Sequence, residues 1–179
     1  LMVLEFPVPF APSFYGLDFS ELPALIGAFA YGPVAGVMIE FCKILIKLVL
    51  KPSSTAFVGE LANFSISCML VLPASVIYLF KKSRKQAILG TVVGTLIMTA
   101  FGSCFNAIYL LPKFSELYGI PLDAIIGMGT AINPAIHSIS GLVLMCVVPL
   151  NLLKGGLVSL ITILVYKKLS PILKAAHKQ

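Results

Sequence analysis

Asn151 and Lys154 stand three residues apart at the head of an apolar run, in Pro149-Leu-Asn-Leu-Leu-Lys-Gly-Gly156 followed by residues 157–166. On a helix that spacing puts both side chains on one face. Asn supplies a donor and an acceptor, Lys supplies donors only, and together they suit the hydrogen-bonding edge of a small molecule. The competing reading is plainer: Lys154 as an interfacial anchor that snorkels to the headgroups and Asn151 as a helix cap. Two further pairs have the same spacing. Glu60 and Asn63 lie in Gly59-Glu-Leu-Ala-Asn-Phe64, and Asn106 and Tyr109 lie in Asn106-Ala-Ile-Tyr-Leu-Leu-Pro112. Ionisable and amide groups inside apolar spans are functional candidates by default.

A fourth feature is a loop. Residues 6–18 carry prolines at 7, 9 and 12, which remove donors and bias the preceding residues to extended backbone. No regular helix is expected there. The same stretch holds Phe6, Phe10, Phe14 and Tyr15. An aromatic, proline-stiffened loop beside a bilayer is either an interfacial anchor or a lid over an apolar ligand, with Phe14, Tyr15, Leu17 and Asp18 nearest its exit.

The elements that must position these residues are membrane spans. Of the 179 residues, 59% are hydrophobic and only 11% are charged, against about 25% charged in soluble domains. The chain is expected to be a single all-α membrane domain over residues 1–179. The net charge of +6 is not a nucleic-acid footprint, because the cations cluster at the ends of spans. Cys42, Cys68, Cys104 and Cys146 show no CxxC spacing and read as small hydrophobes, and His137 has no spaced partner for a metal.

In chain order, residues 1–5 read as the tail of a first span whose beginning lies upstream. Ser20 is expected to cap a second span over residues 21–31, and Gly32-Pro33 turns into a third over residues 34–50. Ala24, Ala28, Gly32 and Gly36 have small-xxx-small spacing, most simply explained as intramolecular packing. Glu40 and Lys43 have pairing distance, while Lys47 and Lys51 suit snorkelling. The fourth span covers residues 56–80 and is kinked at Pro73, the fifth covers 88–111, and residues 139–148 read as a re-entrant or interfacial helix, or as part of an extra span if joined to residues 134–138. The last span runs over residues 151–166. Residues 113–148 contain the segment least determined by pattern.

The basic cluster Lys81-Lys-Ser-Arg-Lys85 marks the cytoplasmic side. Counting spans from it puts the aromatic loop and all three polar pairs at outer ends of helices and the C-terminus inside. A pocket that opens outward, mostly apolar with few polar groups, is the expectation.

Glu5-Phe-Pro-x-Pro-Phe, Asp18-Phe-Ser-Glu-Leu-Pro-Ala-Leu-Ile-Gly-Ala-Phe-Ala-Tyr-Gly-Pro33, Gly59-Glu-Leu-Ala-Asn-Phe64, Asn106-x-x-Tyr-x-x-Pro112 and Asn151-x-x-Lys-Gly155 resemble the riboflavin-specific substrate-binding (S) component of energy-coupling-factor (ECF) transporters. The resemblance implies six transmembrane helices, the first truncated here, with an extracellular lid loop. It implies a multi-pass protein of the bacterial cell membrane that captures riboflavin from outside with high affinity. It also implies as partners a transmembrane coupling (T) subunit and two ATPases. By it, Asn106, Asn151 and Lys154 match positions that hydrogen-bond the pyrimidine edge of the flavin. The family's AxxxA docking motif belongs in the first helix, upstream of these residues. A flavin ring suits such a site, since aromatic side chains pack on its faces and amides and an ammonium satisfy its edge. Asp18, Thr55 and Glu60 are candidate partners for the ribityl hydroxyls. Riboflavin would be cargo; no cofactor and no enzymatic activity are expected. Another vitamin on the same fold, or a structural membrane protein without a ligand, are the alternatives.

Overall fold

The computed structural model describes residues 2, 5–12, 14–53 and 55–175, with burial known as far as residue 165. Most of residues 1–5, read from sequence as the tail of a first span, therefore lie outside the described residues. Met2 is in a turn, and Glu5 directly precedes the first strand.

The proline-rich stretch is a short hairpin. β1, Phe6–Pro7, pairs antiparallel with β2, Gly16–Leu17, in the register Phe6 with Leu17 and Pro7 with Gly16. Two turns bonded Ala11 N to Val8 O and Tyr15 N to Pro12 O complete it. Its apolar residues divide, with Phe6 and Phe14 exposed and others turned inward. Ala11, Tyr15 and Leu17 are buried in a cluster with Leu111, Ile125 and Leu150.

Among the described residues the helices are six continuous rods. They are α1 (Glu21–Tyr31), α2 (Pro33–Leu50), α3 (Val58–Phe80), α4 (Arg84–Tyr118), α5 (Leu122–Thr130) and α6, which runs unbroken through Ile139–Leu142, Val143–Val147 and Val148–Ala175. Three of these, α3, α4 and α6 over Ile139–Val165, are long and apolar enough to cross a membrane. In α2 the charges Glu40, Lys43 and Lys47 turn inward and pair. Lys47 thus does not snorkel outward; it meets Glu60 of α3.

α1 folds back on α2 at Gly32, whose φ of 94° is a conformation that a side chain would strain. Pro33 then opens α2 at a position where its missing N–H costs nothing. The small residues of these helices serve packing, as the simpler reading held. A Cβ on Gly36 would come within 2.6 Å of both Val71 and Ala28. α3 and α4 approach still more closely, since a Cβ on Gly90 or Gly94 would lie 2.5 Å from the carbonyl oxygen of Ala74 or Leu70. Thr91, Thr95, Thr99 and Ser103 on α4 donate back to carbonyls of the preceding turn, so that none of these four hydroxyls is stranded.

Two expectations about span boundaries are corrected. Residues 139–148 are neither a re-entrant helix nor joined to residues 134–138 in an extra span; they form the opening of α6. The fifth span likewise does not end near residue 111 but continues past Pro112 to Tyr118. The physical reason is the same in both. The turns Asn106–Leu110 and Val143–Val147 are widened, with Leu111 N–H donating to Asn106 O and Val148 N–H to Val143 O. Each lies just before a proline, Pro112 or Pro149. A proline inside an α-helix removes one donor and crowds the carbonyl four residues back. An i→i+5 turn accommodates both effects without ending the helix. Asn151 is accordingly mid-helix and caps nothing. Ser20 precedes α1, yet its hydroxyl bonds Asp18 and not a free N–H of the helix.

Candidate functional site

One end of the bundle holds a cavity of about 520 Å³. It is bounded by the hairpin, the start of α1, the end of α2, the first half of α3, the second half of α4, α5, and α6 around Asn151. The polar pairs that sequence places at the outer ends of spans meet here because successive long helices run in opposite directions. The end of α4 therefore lies beside the starts of α3 and α6.

Asn106 is 3% exposed and fully engaged on two sides. Its Nδ2 donates to Gly102 O at 2.7 Å, and its Oδ1 accepts from the Tyr15 hydroxyl at 2.8 Å. Burial pushes the Tyr15 phenol well above its ordinary range, so the hydroxyl keeps its proton and acts as donor. A residue of the hairpin is thereby bonded to a residue of the cavity wall. Phe14 packs beside it, tilted with its centroid 4.6 Å from the Tyr15 ring and 6.2 Å edge-on to Phe114.

Asn151 projects from α6 toward Gly102 of α4, where a Cβ would sit 2.8 Å from its Nδ2. The bare glycine makes room for the amide. That Nδ2 is buried with no hydrogen-bond partner, and so is Oδ1 of Asn63 across the cavity on α3. Buried polar atoms without partners are uncommon and costly, about 1–3 kcal/mol each. Here one is a donor and one an acceptor, and both residues line the same space.

Lys154, one turn beyond Asn151, is neither exposed nor an interfacial anchor. Its Nζ lies 2.7 Å from Glu21 Oε1 and 3.1 Å from Asp18 Oδ2. Glu21 Oε1 also accepts from Ser67 of α3 at 2.7 Å and lies 3.6 Å from Lys43, which in turn is 2.5 Å from Glu40. The expected pair of Glu40 with Lys43 is thus formed, inside a larger chain of charges. Asp18 is held by the backbone N–H of Ser20 at 2.7 Å. At the mouth, Glu60 accepts from Lys47, from Ser53 at 2.8 Å and from Thr55 at 3.0 Å. Ala56 and Phe57 next to it have positive φ of 46° and 67°, a strained conformation for side-chain-bearing residues. Phe57 N donates to Ser53 Oγ, and Gly59 N donates to Thr55 Oγ1.

Of the residues singled out in the sequence, Phe14, Tyr15, Asp18, Thr55, Asn63, Asn106, Asn151 and Lys154 line the cavity. Three do not. Tyr109 is off the wall, 37% exposed with its ring 5.1 Å from Phe105. The widened turn changes the face count, so that Leu110, and not Tyr109, lines the cavity with Asn106. Leu17 is buried in the cluster under the hairpin. Glu60 is buried behind Lys47 and Thr55, which do reach the cavity.

The sequence reading missed Glu21, Ser67, Met98 and Met128, all on the wall. Gly59, Asn63 and Ile66, like Val147, Leu150, Asn151 and Lys154, follow the three- and four-residue spacing of one helical face. That spacing was available as a signal for Ile66, Val147 and Leu150. Nothing local marks Glu21 or Met128.

Comparisons with known proteins agree on one family. The sequence model described as the substrate-specific component of ECF transporters matches residues 1–166. Riboflavin transporter RibU of Staphylococcus aureus (strain TCH60) is 33% identical over 174 residues, 97% of this chain and 85% of that protein. Riboflavin transporter FmnP of Bacillus subtilis (strain 168) is 31% identical, over 96% of this chain and 85% of its own length. A solved S component of a bacterial ECF transporter superposes with a TM-score of 0.72 at 34% identity, covering 97% of this chain and 89% of that one.

Proposed function

Since the chain belongs to the substrate-specific components of ECF transporters, we propose that it is the subunit that captures riboflavin for uptake. The observation that carries this reading is the cavity itself, with an unpartnered amide donor on Asn151 and an unpartnered amide acceptor on Asn63. Its volume of about 520 Å³ is within the range of small-molecule sites. Asn151, Lys154 and the remaining capacity of Asn106 would satisfy the polar edge of the flavin. Met98, Ile125 and Leu150 would pack on its apolar ring, and Phe14 and Tyr15 would close over it. Thr55 and Asn63 stand where a polyol chain would find partners. The relatives named as riboflavin transporters support this choice of ligand.

In the same reading the flavin is cargo and not a resident cofactor, and the chain catalyses no reaction. The cavity faces outward, because the basic cluster of residues 81–85 joins the far ends of α3 and α4 and belongs on the cytoplasmic side. The C-terminus is then cytoplasmic as well. A coupling subunit and two ATPases supply the energy for release inward. A cysteine at position 6, in the exposed part of the hairpin, should accept an impermeant reagent from outside cells, while one at position 83 should not.

The direct test is spectroscopic. Protein purified in detergent from cells fed riboflavin should carry a flavin absorption band, and stripped protein should quench riboflavin fluorescence on titration at about equimolar ratio. Colourless protein that leaves riboflavin fluorescence unchanged would overturn the proposal; quenching by a different vitamin alone would reassign the site.

A further inference from the structure

We propose that Glu21 is the positioning residue of the site: it sets where the Lys154 ammonium points and is required for ligand capture through that lysine. The inference rests on the riboflavin reading of the cavity and adds a residue to it.

Glu21 is the first residue of α1, where the free N–H groups of the helix favour a carboxylate. It is 1% exposed, and one of its oxygens gathers donors from three other helices. Oε1 lies 2.7 Å from Lys154 Nζ on α6, 2.7 Å from Ser67 Oγ on α3 and 3.6 Å from Lys43 Nζ on α2. Lys43 is held in turn by Glu40 at 2.5 Å. Glu21 therefore has no freedom to follow Lys154; the lysine must come to it.

The ammonium has three donors. Glu21 and Asp18 take two, at 2.7 and 3.1 Å, which leaves one for the cavity that Lys154 lines. Asp18 sits at the hairpin exit, three residues before Glu21. Without Glu21, Lys154 would be drawn to Asp18 alone, toward the mouth, and its third N–H would turn from the ligand. The second oxygen of Glu21, Oε2, is buried with no hydrogen-bond partner, as are both oxygens of Glu40, which lies off the cavity wall; it is Oε1 that holds the ammonium.

The test is a thermodynamic cycle on purified, ligand-stripped full-length chain, read by riboflavin fluorescence quenching. Glu21→Gln and Lys154→Met should each weaken binding by roughly tenfold to a hundredfold, the range for a hydrogen bond to a charged group. The double variant should bind no worse than Lys154→Met alone, because the route through the lysine is already gone. Wild-type affinity in Glu21→Gln, or losses that multiply in the double variant, would overturn the inference and leave Glu21 a structural residue. Should Glu21→Gln not yield monodisperse protein, Glu21→Asp takes its place in the cycle. It keeps the charge, withdraws it by one methylene, and should show the same lack of further loss over Lys154→Met. A wild-type chain that binds no riboflavin removes the premise and the inference with it, a result distinct from either outcome of the cycle.

Discussion

The seam between α3, α4 and α6 and the cavity end of the same bundle are built on opposite principles. In the seam, helices touch backbone to backbone. Gly90 and Gly94 lie against carbonyl oxygens of α3, Gly155 lies against Thr95, and the buried threonines bond their own helix. At the cavity end, contact is made by charges and amides: Lys154 with Asp18 and Glu21, Lys47 with Glu60, and Tyr15 with Asn106. The seam gains dispersion contacts from close approach, the main source of helix association where lipid is as apolar as the protein. The cavity end leaves Asn151 Nδ2, Asn63 Oδ1 and Glu21 Oε2 unmatched and holds Ala56 and Phe57 in left-handed backbone. Unmatched groups and strained backbone of this kind collect at functional sites. One part of the molecule is closed by packing, while the other keeps buried polar groups unmatched.

This contrast can be broken at either end. The largest effect is expected from Lys154→Met, which takes the cation from between two buried carboxylates, Asp18 and Glu21. Removal of one partner from a buried ion pair costs about 3–5 kcal/mol of stability, and riboflavin binding should fall with it. A detergent melting curve and a titration measure the two, and an unchanged melting temperature would mean that the network is solvated. Gly90→Val comes next. Its Cβ would meet the Ala74 carbonyl oxygen at 2.5 Å, and overpacking of this kind costs about 1–3 kcal/mol. The folded fraction should still bind riboflavin normally; weakened affinity there would dissolve the distinction between seam and site.

Asn151→Ala should do the reverse. It removes an unmatched donor, so the empty protein should be no less stable, while riboflavin affinity drops by about 1–3 kcal/mol. Loss of stability without loss of affinity would move Asn151 into the seam class. Tyr15→Phe removes one neutral hydrogen bond to Asn106, worth about 0.5–1.5 kcal/mol. Since the bond joins hairpin to wall, stopped-flow measurements should show faster riboflavin release with association nearly unchanged. Tyr109→Ala is expected to do least. The ring lies outside the cavity against Phe105, and a clear loss of affinity would contradict the face count of the widened turn.

The amino-acid sequence by itself determined the class of the protein. Few charges, long apolar runs and cations at their ends leave only a helical membrane bundle, because unpaired backbone groups are excluded from lipid. It also placed the polar pairs at one end of the bundle, with Asn151 and Lys154 on one face of their helix. Four residues of those pairs, Asn63, Asn106, Asn151 and Lys154, line the cavity, since helical spacing and alternating direction are properties of the chain alone. Tertiary structure decided the rest. Prolines 112 and 149 look like boundaries, but the turns before them widen, so that each helix runs on, and Tyr109 leaves the site as α4 does so. Glu21 gives no local sign of its role. Its partners Lys43, Ser67 and Lys154 are 22, 46 and 133 positions away in the chain, and they meet only where α1, α2, α3 and α6 converge. Pairing between buried charges depends on distance in space, which spacing along one helix does not encode.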